Sequence, residues 1–448
     1  MATAMTVPQR AGRVIASDLE VKILGPCRHP SPLAERLARG AVHYVGEADR
    51  VLLDDRLSTA VARGHTPLAA FELAGPRDRI YFDPRDLVCG IVTCGGLCPG
   101  LNNVIRGIVL ELTEGYGVGR ILGFRYGYLG LARREHEPLF LTPSTVAGIH
   151  HGGGTCLGSS RGDQDPRAMV TRLEELGVGI LFVVGGDGTL RGAMKLAAEI
   201  ERRGLAVGVI GVPKTIDNDI HFIDRSFGFE TAFSAAVEVI RGAHVEATGV
   251  HNGIGIVKLM GRHSGFIACH AALASTDVDA VLIPEIPVVL AGQGGLYALL
   301  ERRVRRDAHA LLVVAEGAGQ ELLDPPPGVT DASGNARLGD VGVALRDRIV
   351  RHFESNGVHV TVKYIDPSYH IRSVPASPTD SVYCWNMARN AVHAGMAGNT
   401  EMLIGRWHGR FVHVPMALAV RYRKEVDTSG DLWMSVVEST GQPVSWVA

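Results

Sequence analysis

Short apolar runs alternate along this chain with longer stretches in which apolar side chains recur every third or fourth position, and many runs end in glycine. The clearest case is Gly179-Ile180-Leu181-Phe182-Val183-Val184-Gly185-Gly186-Asp187-Gly188-Thr189. Its unbroken apolar run predicts a strand covered on both faces, as parallel strands are. The glycines predict a tight turn, and the pattern beyond them predicts a helix from about Thr189 to Arg203. The same reading predicts strands at 87–93, 121–124, 207–212, 253–259, 280–284, 310–315 and 358–365, with closing strands near Met402 and Phe411. Helices are expected after the Cys94–Asn103 loop, from near Thr142, along the apolar face Phe229, Ala232, Phe233, Ala236, Val237 and Ile240, after Gly265, over 339–353 and over 380–397. Strands separated by helices throughout imply a doubly wound α/β architecture with largely parallel sheets.

Domain boundaries follow from this punctuation. Residues 1–87 read as an N-terminal extension whose first dozen residues are expected to be disordered. One lobe is expected over 88–228, completed by 371–420, and a second over 229–370, completed by 421–448, with Asp324-Pro325-Pro326-Pro327-Gly328 as an exposed loop.

Chemistry enters at the ends of the apolar runs. Backbone at Gly185, Gly186 and Gly188 lets a phosphate lie against the chain, and the N-terminus of the helix that follows favours an anion. Asp187 repels that anion unless a cation lies between them, so Asp187 is read as holding a divalent metal, Mg²⁺, that bridges phosphate oxygens. A second glycine loop, Cys94-Gly95-Gly96-Leu97-Cys98-Pro99-Gly100, lacks the G-x-G-x-x-G frame of a dinucleotide site. A third, Gly152-Gly153-Gly154, leads to Ser159-Ser160-Arg161, where hydroxyls, N–H groups and a guanidinium form a phosphate clamp. Beyond the 207–212 run, Pro213-Lys214-Thr215-Ile216-Asp217-Asn218-Asp219 places two carboxylates two residues apart. In an extended segment they would share one side, one toward metal and one toward a substrate hydroxyl. Arg262 and Glu316 each follow an expected strand of the second lobe, where α/β sheets place their ligands.

Composition narrows the possibilities. With 46% hydrophobic residues and 55 glycines, the 448-residue chain reads as an enzyme with large cores, and its net charge of −2 offers nothing to nucleic acid. Seven scattered cysteines suit reduced thiols in a cytosol, with Cys94 and Cys98 read as small packed residues. No run is long enough to span a bilayer and no signal core is present, so the expected location is the cytoplasm, without membrane contact. His263, His270 and His370 lack a nucleophile and an orienting carboxylate and are read as surface or packing residues.

Taken in order and spacing, these segments resemble the 6-phosphofructokinase family over roughly residues 80–442. The likeness is greatest to its longer ATP-dependent branch of plants and trypanosomatids, through Tyr81-Phe82, the Thr93–Asn102 loop, Lys258-Leu259-Met260-Gly261-Arg262 and Lys363-Tyr364-Ile365-Asp366-Pro367. The resemblance implies two Rossmann-like lobes with the active site in the cleft between them, and transfer of the γ-phosphoryl of ATP to O1 of fructose 6-phosphate. It makes Asp217 the base, with Arg161, Thr215 and Lys214 also catalytic. Gly96, Tyr126, Arg161, Gly185, Gly186, Asp187, Gly188 and Thr189 would line the nucleotide side, Asp187 holding Mg²⁺. Thr215, Asp217, Asp219, Met260, Gly261, Arg262 and Glu316 would take the sugar, and Lys363, Tyr369 and Arg372 its 6-phosphate. A homotetramer or dimer is implied as well. Gly253 replaces the arginine with which short bacterial members reach a neighbouring subunit's substrate. Lys214 is typical of pyrophosphate-using relatives, whereas Gly188 leaves space for the nucleotide α-phosphate, where those relatives carry aspartate. ATP is therefore the expected donor and pyrophosphate the alternative. Different readings, a lipid or NAD kinase and a silent sugar-phosphate-binding subunit, leave the 213–219 and 260–262 segments unexplained or waste an intact set of chemical residues.

Overall fold

The computed structural model describes residues 14–36, 42–56, 69–323 and 337–448; the expected disorder of the first dozen residues and the expected loop at 324–328 lie outside them. In chain order the strands of the two larger sheets are β1 (Arg50–Leu52), β2 (Ala70–Leu73), β3 (Val88–Thr93), β4 (Arg120–Phe124), β5 (Leu139–Phe140), β6 (Val178–Gly185), β7 (Gly208–Pro213), β8 (Gly253–Leu259), β9 (Ala280–Leu282), β10 (His309–Ala315), β11 (Thr361–Ile365), β12 (Met402–Trp407) and β13 (Arg410–Pro415). The helices that bear on the site are α1 (Leu101–Leu110), α2 (Asp187–Arg202), α3 (Phe229–Thr248), α4 (Phe266–Ser275), α5 (Val341–Ser355) and α6 (Pro378–Met396).

The described residues within 1–215, 220–228 and 375–423 form one unit. Its sheet runs β1-β2-β13-β12-β7-β6-β3-β4-β5. The middle of that order, β12 to β4, is parallel, and antiparallel strands close both edges. The unbroken apolar runs are explained by helices on both faces. Ile180 and Ile210 meet Gly395 of α6, while Leu181, Val183 and Val209 join a cluster with Leu190, Leu196 and Ile200 of α2. α1 crosses α6 closely because Gly107 has no side chain: a Cβ there would stand 2.6 Å from Ala388 Cβ. The N-terminal extension is part of this sheet, its β2 pairing with β13 and its Phe71 packed edge-on against Phe222 and Trp407.

The described residues within 216–219, 229–374 and 424–448 form the other unit, around a wholly parallel sheet in the order β9-β10-β8-β11. α3 lies on β8, where Gly255 lets the Ala243 carbonyl approach to 3.2 Å of a would-be Cβ. Both units are thus α/β, with parallel strands feeding loops at their carboxyl ends.

Three local expectations differ from the structure. No helix starts near Thr142: Thr142 and Thr145 exchange backbone-to-hydroxyl bonds in a turn, and a three-residue helical segment at Ile149–His151 is all that forms. α2 starts at Asp187 rather than Thr189, so the carboxylate stands at the first helical position, where the helix dipole favours it. Residues 216–219 are not extended: Ile216 and Asp217 form a turn and Asn218 has φ 56°, so a turn rather than strand alternation governs the two carboxylates.

Candidate active site

In the first unit, loops after β3, β6 and β7 meet. Gly95 takes φ 84°, which glycine tolerates without cost, and its N–H donates to the Ser160 carbonyl at 3.1 Å while its carbonyl accepts from Ser159 Oγ at 2.6 Å. The Ser-Ser-Arg loop is therefore fastened to the first glycine loop. A Cβ on Gly96 would lie 3.4 Å from Nη2 of Arg161, whose side chain is exposed. Lys214, buried just beyond β7, donates from Nζ to the Gly96 carbonyl at 2.7 Å. Gly185 has no alternative, since a Cβ would stand 2.3 Å from Thr189 Cγ2, and Gly186 brings its backbone to 3.1 Å of the Lys214 carbonyl, measured from its would-be Cβ. Tyr126, at φ 58°, donates its N–H to Leu157, and its ring packs where a Cβ on Gly158 would sit. Gly96, Arg161, Lys214, Gly185, Gly186 and Thr189 are thus brought together. Gly188 is exposed and faces open space, with nothing within 4 Å of a Cβ.

Asp187 bonds Arg191 one turn along α2 at 3.1 Å and keeps 27% of its side chain exposed. A partly exposed carboxylate at a helix start suits a divalent cation that arrives on phosphate oxygens, the usual manner of Mg²⁺. Among the described residues no three His, Cys, Asp or Glu side chains converge as a ready-made metal cage. Cys94 and Cys98 are buried, and burial pushes the Cys94 thiol up to about 12, as befits a packed residue.

Thr215, the last residue of this unit before the chain crosses, accepts from Ser226 Oγ at 2.5 Å. In the second unit the turns after β8 and β10 interlock: Gly317 N–H donates to the Gly261 carbonyl at 3.0 Å, and Glu316 N–H to Leu259 at 2.9 Å. Both glycines are required, because a Cβ on Gly317 would stand 2.0 Å from the Arg262 carbonyl oxygen and one on Gly261, at φ 129°, 2.5 Å from that of Ser264. Ser264 Oγ donates to the Asp217 carbonyl at 3.1 Å, and the Arg262 N–H donates to the Asp217 carboxylate. Burial first, and then repulsion from Asp219 and Glu316, raises the Asp217 carboxyl far above the ordinary carboxylate range. Burial likewise raises Glu316, against the pull of Arg262 and Lys258. Asp217, Asp219, Arg262 and Glu316 therefore form one electrostatic group.

The 6-phosphate candidates divide. Arg372 lies 4.5 Å over the Tyr369 ring, and its buried Nε makes no hydrogen bond. Lys363 sits inside β11 opposite Gly255, exposed, with Glu246 at 4.0 Å. Lys258, given no role of its own in the sequence analysis, is a further cation of this sheet. It is nearly buried in β8, with Asp366 at 3.0 Å and Asp340 at 3.2 Å, and bonds to Tyr364 and Asp366 outweigh burial to push its pKa up. A single lysine interrupting the apolar run 253–259 was the available signal.

A family model described as Phosphofructokinase matches residues 88–395. The chain belongs to the phosphofructokinase family. An ATP-dependent 6-phosphofructokinase of Amycolatopsis methanolica is 54% identical over 441 residues, covering 96% of both chains. The ATP-dependent 6-phosphofructokinase of Trypanosoma cruzi is 44% identical, covering 95% of this chain and 88% of that one. Among solved phosphofructokinases, the pyrophosphate-dependent protein of Marinobacter aquaeolei superposes with a TM-score of 0.65 over 81% of this chain and 93% of that one; at 19% identity this likeness speaks for the fold alone. No helix among the described residues is long and apolar enough to cross a membrane.

Proposed function

We propose that this phosphofructokinase transfers the γ-phosphoryl of ATP to O1 of D-fructose 6-phosphate, giving fructose 1,6-bisphosphate and ADP. The observation that carries the reading is the 54% identity, over 96% of both chains, with a relative named for ATP-dependent activity. The open space at Gly188 supports ATP as donor.

Asp217 accepts the O1 proton as the oxygen attacks the γ-phosphorus. A carboxylate raised toward neutral pH is better matched to that task than an ordinary aspartate. Arg161, Lys214 and the Gly96 backbone neutralise charge on the transferring group, since phosphoryl transfer depends on alignment and charge far more than on covalent steps. Thr215 positions the sugar, which Asp219, Met260, Gly261, Arg262 and Glu316 also line. Tyr369 and Arg372, with Lys363, take the 6-phosphate. Gly185, Gly186, Thr189 and Tyr126 line the nucleotide, and Asp187 would hold Mg²⁺, which when bound would supply charge neutralisation to the donor phosphates. The protein acts in the cytoplasm as a homotetramer or homodimer.

Lys214 keeps pyrophosphate as the second reading, because its ammonium lies against the loop that faces the donor phosphates in this scheme. The test is formation of fructose 1,6-bisphosphate with Mg²⁺ and each donor in turn. Robust turnover with ATP is expected; turnover with pyrophosphate and none with ATP overturns the donor assignment.

A further inference from the structure

Glu285 lies beyond β9, outside every segment discussed above. One of its carboxylate oxygens, Oε1, accepts two backbone bonds, from Gly265 N–H at 2.9 Å and from Val426 N–H at 2.8 Å. Each bond fixes a segment that grips the Asp217–Asp219 turn. On one side, Ser264, next to Gly265, donates its hydroxyl to the Asp217 carbonyl at 3.1 Å. On the other, Lys424, two residues before Val426, donates its N–H to the Asp219 carbonyl at 2.9 Å. The turn between these grips contains Asn218 at φ 56°, a left-handed conformation that asparagine adopts more readily than most non-glycine residues. Position 265 is shaped to admit the carboxyl: a Cβ there would stand 2.2 Å from Ile283 Cγ2 and 3.2 Å from Glu285 Oε2. Burying a carboxyl carries a cost, and its other oxygen makes no hydrogen bond, so Oε1 accounts for its side-chain bonds in this structure.

We infer that Glu285 is a positioning residue that clamps the 262–265 and 424–426 segments together and thereby holds Asp217 and Asp219 in their working geometry. The inference rests on Asp217 as the base. Burial raises the Glu285 carboxyl, so glutamine, with the same accepting oxygen, is a close stand-in.

Steady-state kinetics on the full-length chain, with ATP and fructose 6-phosphate each varied, test it. A misplaced reacting group costs on the order of tenfold to a hundredfold in rate. Glu285→Ala is therefore expected to lower kcat by at least about tenfold, with KM for ATP within about twofold of the wild type. Glu285→Gln is expected to retain kcat within about twofold. A folded Glu285→Ala with wild-type kcat, or Glu285→Gln as impaired as Glu285→Ala, overturns the inference. Should Glu285→Ala fail to fold, Ser264→Ala reads the same clamp at its other end: a several-fold fall in kcat supports it and an unchanged kcat overturns it. Asp217→Ala run in parallel separates the two claims. Near wild-type rate in Asp217→Ala removes the base assignment, whereas an inactive Asp217→Ala beside a fully active Glu285→Ala removes only the clamp.

Discussion

Around Gly95, Gly96, Gly185 and Gly186, the first unit makes room: side chains are missing where loops and backbone must approach, and the cations there, Arg161 and Lys214, lie against bare backbone. Around Asp217 the second unit concentrates charge instead, setting Asp219, Glu316 and Arg262 against one buried carboxyl that burial and repulsion raise together. A region built from absent side chains tolerates many ligands of one charge. A region built from buried charge is tuned to one proton. In the proposed scheme the first holds a polyphosphate and the second accepts a proton from a hydroxyl, so each should fail differently when altered.

The largest loss is expected on the charged side. Asp217→Ala removes the proposed base and should cost about 10²-fold or more in kcat, the usual contribution of a positioned general base, while binding of fructose 6-phosphate persists. Rapid-quench or coupled assays measure the rate and equilibrium binding measures the ligand. Near wild-type turnover would show that the second unit does not supply the base.

A smaller and graded effect follows from pH. Asp217 must be unprotonated to accept the O1 proton, and its pKa is raised, so kcat should fall as pH drops while still well above the unperturbed aspartate value of about 3.9. The limiting slope for one essential base is about tenfold per pH unit. Profiles of kcat between about pH 5 and pH 9 report this limb; a profile flat down to about pH 5 would mean that Asp217 is an ordinary carboxylate in the working enzyme.

The two regions were unequally legible. The glycine loops could be read because their chemistry is local: a strand, a turn and a helix start are contiguous in sequence, and Gly185-Gly186-Asp187 places a backbone cradle and a carboxylate in one segment. The nine-stranded sheet was less legible at one edge, because β1 and β2 are short and antiparallel and the pairing of β2 with β13 depends on residues far along the chain. The charged cluster was legible only as residue types. Nothing adjacent in sequence says that Glu316 raises Asp217, that Lys258 is pinned between Asp340 and Asp366, or that Glu285 touches Val426. The turn at Asn218 was missed for the same reason, being held by Ser264 and Lys424, residues distant along the chain.

The smallest effect expected is the one that most sharpens the contrast. Gly188 is the second residue of α2, exposed, with nothing within 4 Å of a Cβ, so Gly188→Asp introduces no clash in the protein itself. A carboxylate in the first helical turn is, if anything, favourable by about 0.3–1 kcal/mol, and thermal stability should hold. The added charge then acts on the donor alone. If the nucleotide α-phosphate occupies the space that Gly188 leaves open, the repulsion should lower kcat/KM for ATP by about tenfold, equivalent to about 1.4 kcal/mol. KM for fructose 6-phosphate should stay unchanged, because the residues proposed to take the sugar include Asp219, Arg262 and Glu316 of the charged cluster and not Gly188. Parallel titrations of ATP and pyrophosphate on the variant give the decisive ratio. Selective damage to ATP use would tie donor choice to a missing side chain, whereas equal ATP use by Gly188→Asp would mean that the open space at this turn is not where the donor lies.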